Sequence, residues 1–196
     1  MLDRIIKAIV WPFVMPFHPV RMVGLENIPT EGRIILCANH LSNWDPVLLL
    51  LGQPRPIGFM AKEELFRFKP LGGVLRVFRA FPVARGKGDT GALDTAVKTL
   101  EDGMIMGIFP EGARSKSGKL MRFKSGAALI AARTGAVVVP CGIDRRARAF
   151  RRTTITFGKP ISQEELGLAG DTPNLRKATR LMRERVRELS GQELAE

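Results

Sequence analysis

Short apolar runs rich in branched side chains recur along this chain, and stretches of helical periodicity separate them. No other feature constrains the fold as much, because strands that alternate with helices bury their faces together as an α/β sheet. Strands are expected at residues 21–24, 33–38, 57–61, 80–83, 104–109, 136–143 and 153–158. Residues 90–102 place Leu93, Ala96, Val97 and Leu100 on one helical face and stop at Gly103, while residues 123–134 carry an Ala/Leu/Ile face and stop at Gly135. A third helix, 173–189, sets Leu175, Ala178, Met182, Val186 and Leu189 in one stripe, with Arg176, Lys177, Arg180, Arg183, Arg185 and Arg187 around it. That pattern reads as a packed stripe under a solvated basic face, with a membrane contact as the alternative. A chain of 196 residues, 45% hydrophobic and without repeat or dividing linker, has room for one core. A single α/β domain over residues 20–196 is the expectation.

The first 19 residues read differently. Residues 5–17 are nearly all apolar, yet Lys7, Pro12 and Pro16 interrupt them, and the stretch is shorter than the ~20 residues of a spanning helix. It is expected to lie on a membrane, with Trp11, Phe13 and Phe17 at the headgroup boundary and Arg4, Lys7 and Arg21 meeting anionic lipid phosphates. The alternative is a helix packed on the core. No small-residue cleavage site follows to suggest a signal peptide. The net charge of +12 calls for an anionic partner, whether nucleic acid, an anionic bilayer or a phosphorylated substrate. Cys37 and Cys141 each sit inside an apolar run and read as buried free thiols.

Chemistry concentrates where predicted strands end. The strand at 33–38 runs into Asn39-His40-Leu41-Ser42-Asn43-Trp44-Asp45-Pro46, and side chains just past a strand end reach solvent while the sheet holds them. Asp45 before Pro46 also reads as a helix N-cap. On an ideal helix His40 and Asp45 would diverge, but a non-helical turn brings the carboxylate to the imidazole, making a base with its orienting partner. A substrate hydroxyl could then attack without a nucleophilic side chain, although a histidine–aspartate pair taken alone is more often structural. Ser42 and Cys37 lack the elbow context of a nucleophile.

The strand at 104–109 ends in Pro110-Glu111-Gly112-Ala113-Arg114-Ser115. Arg114 suits a phosphate, and Gly112 lets backbone N–H groups approach a ligand. Glu111 beside a phosphate would repel it, so it is expected to bond a substrate hydroxyl or hold a neighbouring arginine; a local Glu111–Arg114 ion pair is the alternative. Arg85, after the strand at 80–83, would face the same edge and complete a clamp, with Lys124 adding positive potential unless it is an ordinary surface charge. Residues 86–91 read as a surface loop, and a phosphate-binding Walker motif is absent.

Taken in order, four blocks resemble those of the glycerolipid acyltransferase family, specifically the bacterial 1-acyl-glycerol-3-phosphate acyltransferases. They are Asn39-His40 with Ser42 and Asp45; Ala61-Lys62-Glu63-Glu64-Leu65-Phe66 with Pro70 and then Phe81-Pro82-Val83-Ala84-Arg85; Phe109-Pro110-Glu111-Gly112-Ala113-Arg114-Ser115; and Val138-Val139-Pro140-Cys141. The resemblance implies a mixed central sheet covered by helices. It also implies that His40 is the general base and Asp45 its orienter, and that Arg85, Glu111 and Arg114 hold the glycerol-phosphate end of an acceptor. Ala113, Arg79 and Ala84 depart from the family's usual threonine, glycine and aspartate.

The implied reaction moves an acyl group from acyl-CoA or acyl carrier protein to the sn-2 hydroxyl of lysophosphatidic acid. No metal or other cofactor is called for, and backbone N–H groups near Gly112 are expected to meet the oxyanion. Another hydroxyl acceptor, such as glycerol 3-phosphate or a lyso-aminolipid, is the nearer alternative. A non-enzymatic binder of anionic lipid or nucleic acid is the more distant one, and the lack of interleaved aromatic and basic residues weighs against nucleic acid. The expected location is peripheral, on the cytoplasmic face of the cell membrane.

Overall fold

The computed structural model describes residues 2–53, 55–67, 73, 76, 80–83 and 90–195. All seven predicted strands form, with ends within a residue of expectation: β1 (Val20–Val23), β2 (Ile34–Ala38), β3 (Ile57–Lys62), β4 (Ala80–Val83), β5 (Ile105–Ile108), β6 (Val137–Ile143) and β7 (Thr153–Phe157). They make one sheet in the order β1-β7-β6-β2-β5-β3-β4. Every neighbouring pair is parallel except β6 and β7, so the sheet is mixed.

Central position follows from apolar character. All five residues of β2 are buried, and their alternation sends Ile35 and Cys37 into one core and Ile34, Leu36 and Ala38 into the other. Nearer the sheet's edge, β7 alternates buried Thr153, Ile155 and Phe157 with half-buried Thr154 and Thr156.

Helices cover both faces. α1 (Leu2–Val14) and α2 (Asp45–Gly52) pack on the core holding Ile34 and Leu36, through Val14 and the leucines Leu48 to Leu51. A short α3 (Glu63–Arg67) follows β3. α4 (Thr90–Glu101), α5 (Gly126–Thr134), a short α6 (Gln163–Leu166) and α7 (Leu175–Ser190) contribute to the opposite core. α7 buries Ala178, Met182 and Val186 and leaves most of its arginines exposed, matching the packed stripe.

Two expectations change. The helix foreseen from residue 123 begins at Gly126, because Phe123 is buried and the Lys124 amide donates to the Pro110 carbonyl at 2.9 Å, tying the segment to the turn after β5. Lys7 donates its ammonium to the Gln53 carbonyl, so it faces the body of the protein rather than a lipid phosphate. Among the described residues no helix is long and apolar enough to cross a membrane.

This topology sets up a crevice at the ends of two central strands. β2 and β5 lie side by side and parallel, with Cys37 opposite Ile108. The chain leaves β2 into α2 on one face and leaves β5 toward α5 on the other. A gap therefore opens beyond the carboxyl ends of these strands, where open α/β sheets place ligands.

Candidate active site

The turn after β2 is closed by a single carboxylate. Asp45 Oδ2 accepts from the Leu41 amide at 2.6 Å, the Ser42 amide at 2.7 Å and His40 Nδ1 at 2.9 Å. The two amides draw the chain round the carboxylate, and so the imidazole reaches a residue five positions away that an ideal helix would hold apart. Asp45 does not act as the expected N-cap. It is the first residue of α2, Trp44 precedes the helix without a side-chain cap bond, and the carboxylate points back into the turn because three donors converge on it there. Ser42 belongs to the same turn, its hydroxyl accepting from the Trp44 amide at 3.2 Å.

An ionised carboxylate offers no proton, so Nδ1 of a neutral His40 carries the hydrogen and Nε2 keeps its lone pair. Nε2 has no hydrogen-bond partner among the described residues. The His40 side chain is 16% exposed and Asp45 wholly buried, so the ring has an open edge while its partner is shielded. Asp45 Oδ1 is also buried and makes no hydrogen bond. A buried negative charge against Nδ1 stabilises the imidazolium formed when Nε2 takes a proton.

Aromatic packing orients the ring. Phe109, the residue after β5, stacks on His40 with centroids 4.2 Å apart, and Phe59 of β3 stacks on Phe109 at 5.9 Å. Gly107 makes room for this column, since a Cβ there would stand 2.2 Å from the Phe59 ring.

Glu111 joins the two turns. One carboxylate oxygen accepts from the His40 amide at 2.7 Å and the other from the Met121 amide at 3.0 Å. Both oxygens are thus occupied by backbone, and no Glu111–Arg114 ion pair forms among the described residues. Burial pushes the Glu111 carboxyl up from its ordinary value, against the opposing pull of those two N–H donors. The Ser115 amide donates to the His40 carbonyl at 2.8 Å, a second tie between the turns.

The cationic side of the crevice is open by comparison. Arg114 and Lys124 are exposed, and neither side chain makes a hydrogen bond or ion pair among the described residues. Gly112 has φ +71°, and a Cβ there would come 3.0 Å from Lys124 Nζ, so a residue without a side chain lets the lysine lie across the turn. The Gly112 amide donates to the Phe109 carbonyl at 3.0 Å and so closes its own turn. Arg85, Arg79, Ala84 and Pro70 lie outside the described residues.

Asn39 is a buried bracket. Its side chain exchanges hydrogen bonds with the backbone of Ile143, 2.9 Å from Nδ2 to the carbonyl and 2.7 Å from the amide to Oδ1, and Nδ2 also donates to Gln192 Oε1 at 2.6 Å. Gln192 in turn donates to the Gly118 carbonyl. Sequence reasoning missed Gln192, whose C-terminal position carries no signal, and gave Phe109 no role although it ends a strand beside a charged turn. Cys37 and Cys141 are buried free thiols, and burial raises both far above the usual thiol range, which leaves them inert.

With this geometry in view, comparison with known proteins is specific. The family model described as acyltransferase matches residues 19–144, a span containing both turns. The chain is 31% identical over 179 residues to the 1-acyl-sn-glycerol-3-phosphate acyltransferase of Bacillus subtilis, covering 88% of each protein. It is 30% identical over 142 residues to the protein of that name from Borreliella burgdorferi, covering 71% of this chain and 56% of the relative. The crystal structure of the 1-acyl-sn-glycerophosphate acyltransferase from Thermotoga maritima superposes with a TM-score of 0.73 at 27% identity, over 99% of this chain and 81% of the other. The match takes in the turn after β2 that carries His40, the start of α2 that carries Asp45 and the neighbouring Glu111 segment, and the chain therefore belongs to the acyltransferase family.

Proposed function

We propose that the protein transfers a fatty acyl group from acyl-CoA or acyl carrier protein to the sn-2 hydroxyl of lysophosphatidic acid, giving phosphatidic acid for phospholipid synthesis. The observation that carries this reading is the His40–Asp45 pair, 2.9 Å apart, whose Nε2 has no hydrogen-bond partner among the described residues and whose backbone is tied through Glu111 and Ser115 to the turn that carries exposed Arg114. The names of the similar proteins support the acceptor.

His40 Nε2 takes the hydroxyl proton as the acceptor oxygen attacks the thioester carbonyl. The tetrahedral adduct then collapses, its carbon–sulfur bond breaks, and the departing thiolate takes the proton from the imidazolium, restoring neutral His40. The step uses no metal and no acyl-enzyme. Arg85 and Arg114 grip the acceptor phosphate, with Lys124 adding positive potential and Gly112 leaving space at the turn. Glu111 serves by holding the His40 backbone. Nucleic acid has no part in this reading.

The enzyme works from the cytoplasmic face of the cell membrane. α1 supports a position on a membrane surface, because Ile9, Trp11 and Phe13 are exposed on a helix whose Val14 is buried. The lysolipid then keeps its chain in the bilayer while its headgroup enters the crevice.

The test is purified protein assayed with a panel of acceptors against acyl-CoA and acyl carrier protein donors. Phosphatidic acid from lysophosphatidic acid is the expected product. Turnover confined to glycerol 3-phosphate or a lyso-aminolipid would replace the acceptor, and transfer to none would overturn the reading.

A further inference from the structure

The turn between β6 and β7 reads Asp144-Arg145-Arg146-Ala147-Arg148-Ala149-Phe150-Arg151-Arg152, five arginines against one aspartate. Two of the five are engaged: Arg145 Nε lies 3.1 Å from the Asp144 carboxylate, and Arg146 Nη2 donates to the Ser115 carbonyl at 2.8 Å and the Lys116 carbonyl at 3.3 Å. Arg148, Arg151 and Arg152 are exposed, and their side chains make no hydrogen bond or ion pair among the described residues.

Phe150 stands among them, 74% exposed, at φ +59°. It is the one non-glycine residue at positive φ among those described, in a backbone conformation that glycine adopts more readily. A large apolar ring in that place is not explained by packing into the core. The Phe150 amide donates to the Phe17 carbonyl at 2.7 Å and the two rings lie 5.7 Å apart, which fastens the turn to the chain just after α1. There Phe13 is 71% and Phe17 53% exposed.

We propose that this turn is a second contact with an anionic bilayer, beside α1. Phe150 enters the headgroup boundary next to Phe17, and Arg148, Arg151 and Arg152 take lipid phosphates. The inference rests on the reading of the protein as a membrane-surface enzyme. Exposed rings flanked by free guanidinium groups match an interface that is apolar below and anionic above. A single-stranded nucleic acid would instead require a groove with rings spaced for successive bases. Arg146 holds the Ser115 carbonyl while the Ser115 amide holds the His40 carbonyl, so the two turns are linked through Ser115.

Sedimentation of the full chain with vesicles of phosphatidylcholine, with and without phosphatidylglycerol, tests this. The triple variant Arg148→Gln, Arg151→Gln, Arg152→Gln should bind phosphatidylglycerol vesicles on the order of 100-fold more weakly, while binding to phosphatidylcholine alone changes little. Phe150→Gly should weaken binding to both vesicles about tenfold. It should melt no lower than wild type by circular dichroism, since glycine relieves the backbone at that position. Wild-type affinity of the triple variant for phosphatidylglycerol vesicles would overturn the proposal, as would tight binding of the wild type to single-stranded DNA with none to vesicles. Acyl transfer by the wild type is scored separately. An active enzyme whose variants bind normally sinks only this inference, and an inactive one whose variants lose vesicles sinks only the proposed reaction.

Discussion

The turns that follow β2 and β5 lie side by side at the carboxyl ends of two central strands, yet they are built in opposite ways. The first is closed from within: Asp45 gathers the His40 ring and two amides three to five residues away, and every group is buried or nearly so. In the second, Glu111 reaches across 71 residues to the His40 amide, while the Arg114 and Lys124 side chains are exposed and make no hydrogen bond or ion pair among the described residues. Under the proposed function, rigidity sits where a base must be held in one orientation, and freedom sits where a phosphate must be admitted and released. On that reading the difference teaches that base and clamp are separate devices, joined through Glu111 and the Ser115 amide.

Replacing His40 by alanine is the hardest test of that separation. It should lower kcat on the order of a thousandfold and leave acceptor KM nearly unchanged. A folded variant with near-normal turnover would end the general-base assignment.

Glu111→Gln attacks the joint between the two turns. Its amide nitrogen must face one of the two backbone N–H groups, donor against donor, and a drop in kcat of about 10–100-fold is expected, with a lower melting temperature. The pH dependence has a definite sign. Burial raises the Glu111 carboxyl, so its contribution to stability is full below the ordinary glutamate value and is lost as pH rises through the raised folded value. Melting temperature measured across that window should show this slope in wild type and lack it in Glu111→Gln. Identical profiles would break the argument.

Arg114→Ala should have the smallest effect and sharpen the contrast most. Acceptor KM is expected to rise about tenfold with kcat within a few-fold of wild type. An equal loss in kcat would mean that the clamp and the base are not independent.

Periodicity made the sheet legible, because a two-residue repeat in branched side chains and a helical repeat in alanine and leucine report local geometry directly. The His40–Asp45 meeting was legible for a related reason, since the contact closes within a few residues. The Asp45 cap was misjudged from the following proline, which marks a helix start without saying where the carboxylate turns. Glu111 could not be read at all as a bracket for the His40 backbone. Its sequence neighbours suggested a pairing with Arg114, and only the placement of β5 against β2 brings the His40 amide within reach.

The sequence by itself determined the alternation of strands and helices, the seven strands, and which residues would carry charge beyond the strand ends. Tertiary structure alone decided the strand order, the Phe59–Phe109–His40 column, the Gln192–Asn39 contact and the junction of Phe150 with Phe17. The physical reason is range. Local propensity and hydrophobic period act over one or two turns of chain, whereas these contacts join residues distant in sequence, which become neighbours only after the sheet has assembled.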